Sequence, residues 1–295
     1  MRAFFLSIAA LTILHNVDTA RVLGLFPHTG RSHQMVFEPL LRVLAERGHQ
    51  VTVVSFFPLK NPPANYTDVS LVGISELGIE TIDLLEWYEN NDGFLKSTGL
   101  DKIIQKFSEF YPLDTMAQEI CSGLVKWAPL ENTLKQKYDV VLTENFNSDC
   151  MLGLLHVHGV NAPVIALSST GLMPWLPERF GLSYNPSYTP VLSYPKRSPM
   201  SLLERIENTL LQLYYRLWYR YAIQVKEQAI IEKHFNRKIV DLDSLARNIT
   251  MILVHGFHTL NGVRQLLPGV VEVGGMHLNR SEKVIPNVST SLYIY

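Results

Sequence analysis

The clearest alternation of apolar and polar positions lies between residues 21 and 56. Arg21-Val-Leu-Gly-Leu-Phe26 is a short, continuous apolar run, as expected of a strand covered on both faces. Pro27 to Ser32 forms a loop containing Gly30. From Met35 to Arg47 the period changes, and Val36, Phe37, Leu40, Leu41, Val43 and Leu44 recur at helical spacing. Ser32 is a natural N-cap for this helix, and Gly48 a natural residue just past its end. Val51-Thr-Val-Val-Ser-Phe56 then reads as a β-branched strand. Strand, loop, helix, strand predicts a right-handed βαβ unit and hence a parallel sheet.

The unit recurs. Tyr138 to Leu142 is an apolar strand, Cys150 to His158 a helix, and Pro163 to Leu167 the next strand, followed by the small-residue loop Ser168 to Gly171. Met251 to Val254 and Val270 to Val273 are two further strands flanking Leu260 to Arg264. The expected fold is α/β, a Rossmann-like doubly wound parallel sheet with ligands at the carboxyl ends of its strands. Pro186, Pro190, Pro195 and Pro199 forbid a long regular element over 184–200. Leu202 to His234 reads as one long helix with the stripe Leu203, Ile206, Leu210, Leu213, Leu217 and Tyr221, which is predicted to face the core. A competing reading is membrane-surface contact by residues 202–225, because Tyr214, Tyr215, Trp218, Tyr219 and Tyr221 sit among Arg216 and Arg220. Glu204, Arg205, Glu207 and Arg216 exclude a transmembrane span there.

The ends of the chain have a different character. Arg2 precedes the apolar run Phe4 to Leu14, and polar and small residues lead to Ala20, which predicts a signal peptide over 1–20. Four glycosylation sequons begin at Asn65, Asn248, Asn279 and Asn287. Together these features predict a glycoprotein of the secretory pathway, in the lumen or on the membrane of the endoplasmic reticulum. Cys121 and Cys150 could form one disulfide in an oxidising lumen, but are read as buried thiols, since disulfide frameworks use many more cysteines in fewer residues. The 26 basic and 27 acidic side chains leave a net charge of −1, which gives no reason to expect nucleic acid as a partner.

The loop Phe26-Pro-His-Thr-Gly-Arg-Ser-His33 leaves the first strand and enters the first helix. It carries neither a dinucleotide fingerprint nor a P-loop. His33 falls in the first helical turn, where the positive end of the helix dipole favours the neutral ring that a general base needs. His28 competes for that role by the same logic. Glu144 and Asp149 follow the strand ending at Leu142 and are both candidates to orient the base. His156 with His158, and His255 with His258, lack a third ligand, so no metal is expected. Ser168 and Ser169 lack the G-x-S-x-G context of a nucleophile.

Several separate blocks resemble the UDP-glycosyltransferase family, the UDP-glucuronosyltransferase group of animals, and look most like its insect members. They are Phe26 to His33, Glu46-Arg-Gly-His-Gln-Val-Thr-Val53, Pro63 to Thr67, Thr143-Glu-Asn-Phe-Asn-Ser-Asp-Cys150, Asn261-Gly-Val-Arg264 and Val273-Gly-Gly-Met-His277. The resemblance covers residues 21–277 and implies the N-terminal, acceptor-binding half of a GT-B enzyme. It implies that His33 deprotonates an acceptor hydroxyl that attacks the sugar with inversion. Glu144 is implied as its supporting carboxylate, at a position where many vertebrate members carry aspartate. Phe26, His28, Phe146, Asp149, Met173 and Trp175 are assigned to the small lipophilic acceptor. Gly30 and Ser32 are assigned to cofactor-type binding, here of the UDP-sugar, which is a co-substrate. No cofactor or metal is implied. Residues 278–295 read as a linker towards a donor-binding domain that this chain lacks, so transfer by the chain alone is expected to be weak or absent. The competing reading is an inactive acceptor-binding or regulatory module that pairs with full-length relatives, as a homo- or hetero-oligomer.

Overall fold

A computed structural model describes residues 19–75, 106–108, 110–182, 185–191, 200–261 and 266–278. Nearly all of the signal peptide, Pro195, Pro199, Gly262 to Arg264 and the linker with its two sequons lie outside the described residues. The elements run β1 (Arg21–Phe26), α1 (Arg31–Glu46), β2 (Gln50–Ser55), β3 (Tyr66–Ser70), α2 (Pro112–Leu124), α3 (Ala128–Leu134), β4 (Val140–Glu144), α4 (Cys150–Val157) and β5 (Val164–Ser168). They continue with α5 (Leu202–Trp218), a π-helical segment (Tyr219–Gln224), α6 (Val225–Phe235), α7 (Leu242–Arg247), β6 (Met251–Val254), α8 (His258–Asn261) and β7 (Val270–Glu272). The strands form one seven-stranded parallel sheet in the order β3-β2-β1-β4-β5-β6-β7. This is the expected doubly wound α/β architecture, and its order reverses between β1 and β4.

Both faces of the sheet are covered. Val22, Phe26, Val51 and Val53 pack with Phe37 and Leu41 of α1 on one side. Leu23, Leu25, Val54 and Val141 point the other way, towards Ile120, Leu124, Leu154 and Ile231. The two-residue period of the strands produces this division. It also explains why their sequences read as unbroken apolar runs.

The end of α1 agrees with its sequence. Gly48 has φ +93°, and the Gly48 and His49 amides donate to Ala45 and Leu44. This Schellman closure requires a left-handed residue, which glycine supplies without a Cβ penalty. The start differs. Gly30 is the extended N-cap, and Ser32 lies inside the first turn rather than capping it. The turn closes earlier because Gly30 is held by His28 Nδ1, and its carbonyl accepts from the His33 amide.

Two other expectations are overturned. Cys121 and Cys150 form a disulfide, not two thiols. Helix α2, whose Leu113, Met116, Ala117, Ile120, Cys121 and Leu124 recur at helical spacing on its inner face, places Cys121 within 5.7 Å, Cα to Cα, of the first residue of α4. The second correction concerns the long helix, which runs from 202 to 235 through its π segment behind a Ser201–Glu204 capping box. Its predicted core stripe faces outward, with Leu203 78% and Tyr221 65% exposed. The inner face is instead polar and aromatic, with Asn208, Gln212, Tyr215, Tyr219, Gln224 and Glu227 all buried. Two of these amides donate to loop backbone. Asn208 donates to Pro186 and Thr189 carbonyls and accepts from Val191, while Gln212 donates to Pro174. Burial follows hydrogen-bond satisfaction here, which apolar periodicity cannot register.

Candidate active site

The carboxyl ends of β1, β4 and β5 are flush, because Leu25 pairs with Thr143 and Glu144 with Leu167. His33 enters from the first turn of α1, Glu144 is the last residue of β4, and Ser169 directly follows β5. All three meet at the point where strand order reverses. His33 Nδ1 lies 2.5 Å from Glu144 Oε1 and 2.8 Å from Ser169 Oγ, and the Ser169 hydroxyl also reaches Glu144 Oε1 at 3.1 Å. The imidazole is 14% exposed and the carboxylate 3%.

This geometry assigns protons. Burial pushes the Glu144 carboxyl up. The hydrogen bond and charge of His33, with help from His28 and Ser169, more than offset that and hold it below its ordinary value. An ionised Glu144 accepts from Nδ1–H of His33, which leaves the lone pair on Nε2. Nε2 is then the atom able to take a proton.

His28 stacks on His33 with centroids 3.7 Å apart and planes 10° from parallel. Its Nδ1 accepts the Gly30 amide, so the neutral ring carries its proton on Nε2. Burial lowers His28 to about 4; Glu144 raises it, and His33 lowers it further. His28 is therefore a neutral ring at pH 7, and its Nδ1, which accepts from Gly30, does not donate to an orienting carboxylate as His33 Nδ1 does. A Cβ at position 30 would stand 2.8 Å from the His28 ring, so this stack depends on glycine there. Phe146 meets both imidazoles edge-on, at 4.7 Å from His33 and 5.4 Å from His28. The ligand atoms of His28, His33 and Glu144 lie within 4.8 Å of one another. Each Nδ1 already has a hydrogen-bond partner, so the cluster fits a proton-handling dyad better than a metal centre.

The remaining predicted residues divide. Phe26 is buried beneath the loop, stacked on Phe37 at 5.2 Å. Gly30 and Ser32 flank His33 at the helix start, with Ser32 exposed. Met173 and Trp175 are buried. Trp175 donates from Nε1 to the Phe146 carbonyl at 2.7 Å and stacks on Tyr219 at 4.7 Å, so it supports the rim from below. Asp149 does not reach His33. Its buried carboxylate takes two hydrogen bonds from Arg179, at 2.9 and 2.6 Å, and others from Asn145, Tyr219 and Gln224. Arg179 is correspondingly held well above its ordinary range, the Asp149 charge outweighing its burial. Beside it, Glu227 accepts from the Ser148 hydroxyl and the Asp149 amide. The segment between β4 and α4 is thus braced from beneath. Ser169 was considered only as a nucleophile from sequence; its role here is to share the His33–Glu144 contact. Its position after a strand was the available signal.

A doubly wound α/β domain whose switch point holds a partly exposed histidine against a buried carboxylate is one equipped to take a proton from a bound group. Residues 21–289 match the family described as UDP-glucoronosyl and UDP-glucosyl transferase, and the chain belongs to that family. UDP-glycosyltransferase UGT5 of Dactylopius coccus is 30% identical over 97% of this chain and 52% of its own length. UDP-glucosyltransferase 2 of the same insect is 29% identical over 95% and 52%. An ecdysteroid UDP-glucosyltransferase of Lymantria dispar multicapsid nuclear polyhedrosis virus is 27% identical over 88% and 50%. The chain spans about half the length of these curated relatives. Among solved structures, the glycotransferase of kitacinnamycin aligns with a TM-score of 0.35 at 14% identity, covering 80% of this chain and 46% of that one. The resemblance to insect UDP-glycosyltransferases read from the residues is borne out.

Proposed function

We propose that this chain is the acceptor-binding half of an inverting GT-B UDP-glycosyltransferase of the secretory pathway, with His33 as general base and Glu144 as its orienting carboxylate. The observation that carries the reading is the 2.5 Å contact between His33 Nδ1 and Glu144 Oε1 at the switch point, supported by membership of the family. The acceptor is a small lipophilic molecule bearing a hydroxyl, seated beside the His28 and Phe146 rings. Its hydroxyl proton passes to His33 Nε2 as the oxygen attacks the anomeric carbon. The bond from that carbon to UDP breaks, and the diphosphate leaves with the electron pair. The hexosyl or glucuronosyl donor is held by a facing domain, and no metal takes part. A lumenal setting is supported by the predicted signal peptide. Among the described residues, no helix is long and apolar enough to cross a membrane.

The test is transfer from UDP-sugar by the chain joined to a donor domain from an insect relative. His33→Ala is expected to lower kcat about 10²–10⁴-fold, the usual worth of a positioned base. Unchanged turnover would sink the assignment. A second reading is an acceptor-binding module that pairs with full-length relatives. Co-purification with a full-length relative from co-expressing cells would support it, and a strictly monomeric chain without bound ligand would argue against it.

A further inference from the structure

The sequons at Asn65 and Asn248 converge on one face of the molecule. Asn65 immediately precedes β3, and its carbonyl accepts from the Val51 amide near the start of β2. Asn248 ends α7, and two residues on the Thr250 amide donates to Val164, the first residue of β5. Both asparagines therefore sit at the amino edge of a fully parallel sheet, whereas His33, Glu144 and Ser169 occupy its carboxyl edge. Strands of five or six residues separate the two edges by about 15–20 Å. Asn65, Thr67, Asn248 and Thr250 are all exposed, and neither middle residue, Tyr66 or Ile249, is proline. Neither asparagine side-chain amide makes a hydrogen bond within the protein among the described residues. Asn65 has φ +63°, a left-handed turn that asparagine tolerates well, so it stands out from the chain before β3 begins.

We infer that Asn65 and Asn248 are both N-glycosylated, and that their glycans cover the face opposite the His33–Glu144 site. In this modification Asn Nδ2 forms a bond to C1 of an oligosaccharide carried on a polyprenyl diphosphate. The C1–O bond to the diphosphate breaks, and the carrier leaves with the electron pair. The amide proton passes to a base of the transferring enzyme. Two glycans on the amino edge leave the acceptor rim open and confine a facing donor domain to the opposite side. The inference rests on the lumenal placement proposed above.

The experiment expresses the chain, with its own N-terminus, in insect cells. Glycans are removed enzymatically in heavy-oxygen water, so that each occupied asparagine becomes a labelled aspartate, and the peptides are read by mass spectrometry. Label is expected at both Asn65 and Asn248, and Asn65→Gln and Asn248→Gln should each remove one step of gel mobility. Label at Asn279 or Asn287 with none at Asn65 or Asn248 overturns the inference and leaves the lumenal placement intact. No label at any sequon overturns the lumenal placement as well. In the donor-completed enzyme, deglycosylation should leave the acceptor KM within about twofold; a larger rise in affinity or its loss would place the glycans at the rim and refute the assigned face.

Discussion

Glu227 offers the most demanding test of the buried cluster beneath the loop that follows Glu144. Burial, and secondarily the charge of Asp149, push its carboxyl up from 4.5 to about 8, against opposing hydrogen bonds from Ser148 and the Asp149 amide. A folded value above the unfolded one means that the native state holds a proton which the unfolded chain releases. The associated stability is complete below pH 4.5 and is lost as pH rises through about 8. His28, His158 and His255 are all lowered by burial and contribute the opposite slope, but only below their ordinary value of 6.5. The clean window is therefore pH 6.5 to 8, roughly 1.5 units at about 1.4 kcal/mol each, or about 2 kcal/mol. Glu227→Gln reproduces the protonated acid. Its carbonyl accepts the Asp149 amide, and its amide donates to the Ser148 hydroxyl. Urea unfolding at pH 6.5, 7.25 and 8 should show the wild type losing about 2 kcal/mol across the window. The variant should be flat and the more stable of the two at pH 8. A glutamine variant that keeps the wild-type slope would show that Glu227 is not the titrating group and would refute the reasoning.

Asp149→Ala strands the Arg179 guanidinium in the interior and should cost about 3–5 kcal/mol by urea unfolding. Reducing the Cys121–Cys150 bond frees a loop closed across 29 residues, which chain entropy values at about 3.6 kcal/mol, so the urea midpoint should fall in reductant but not for Cys121→Ala/Cys150→Ala. Gly48→Ala places a Cβ at φ +93° and should destabilise by about 1 kcal/mol in thermal unfolding, while leaving ligand binding intact. Glu144→Gln removes the charge that orients His33 and should lower kcat of the donor-completed enzyme by about 10²–10⁴-fold with little change in acceptor KM.

The sheet was legible because β1, β2, β4, β5 and β6 are covered on both faces and so are written as apolar runs. Residue β3 pairing escaped notice since Tyr66-Thr-Asp-Val-Ser70 lies at the sheet edge and only Tyr66 is buried. His33 was legible as a helix-start histidine, and its role came from family spacing rather than from the residue itself. Position along the chain left the partner open between Glu144 and Asp149, and the family resemblance chose Glu144; in space, five residues of separation take Asp149 beneath the loop, to Arg179. The outward stripe of α5 misled because its true inner face is held by amides. Their partners are loop carbonyls at Pro174, Pro186 and Thr189, which no period along the helix can encode.

The π segment has a mechanical meaning. Tyr215, Tyr219, Ile223, Glu227 and Ile231 are buried at strict intervals of four. In an ideal α-helix each such interval overshoots the turn by about 40°, so four of them would swing Ile231 roughly 160° away from Tyr215. The wider turn at Tyr219–Gln224 takes up about 100° of this overshoot, the rotation of one residue, and keeps one flank inward. It acts as a gear tooth between two halves of a shaft. Removing one residue there would turn α6 by about 100° relative to α5, withdrawing Glu227 from Ser148 and the loop behind Glu144.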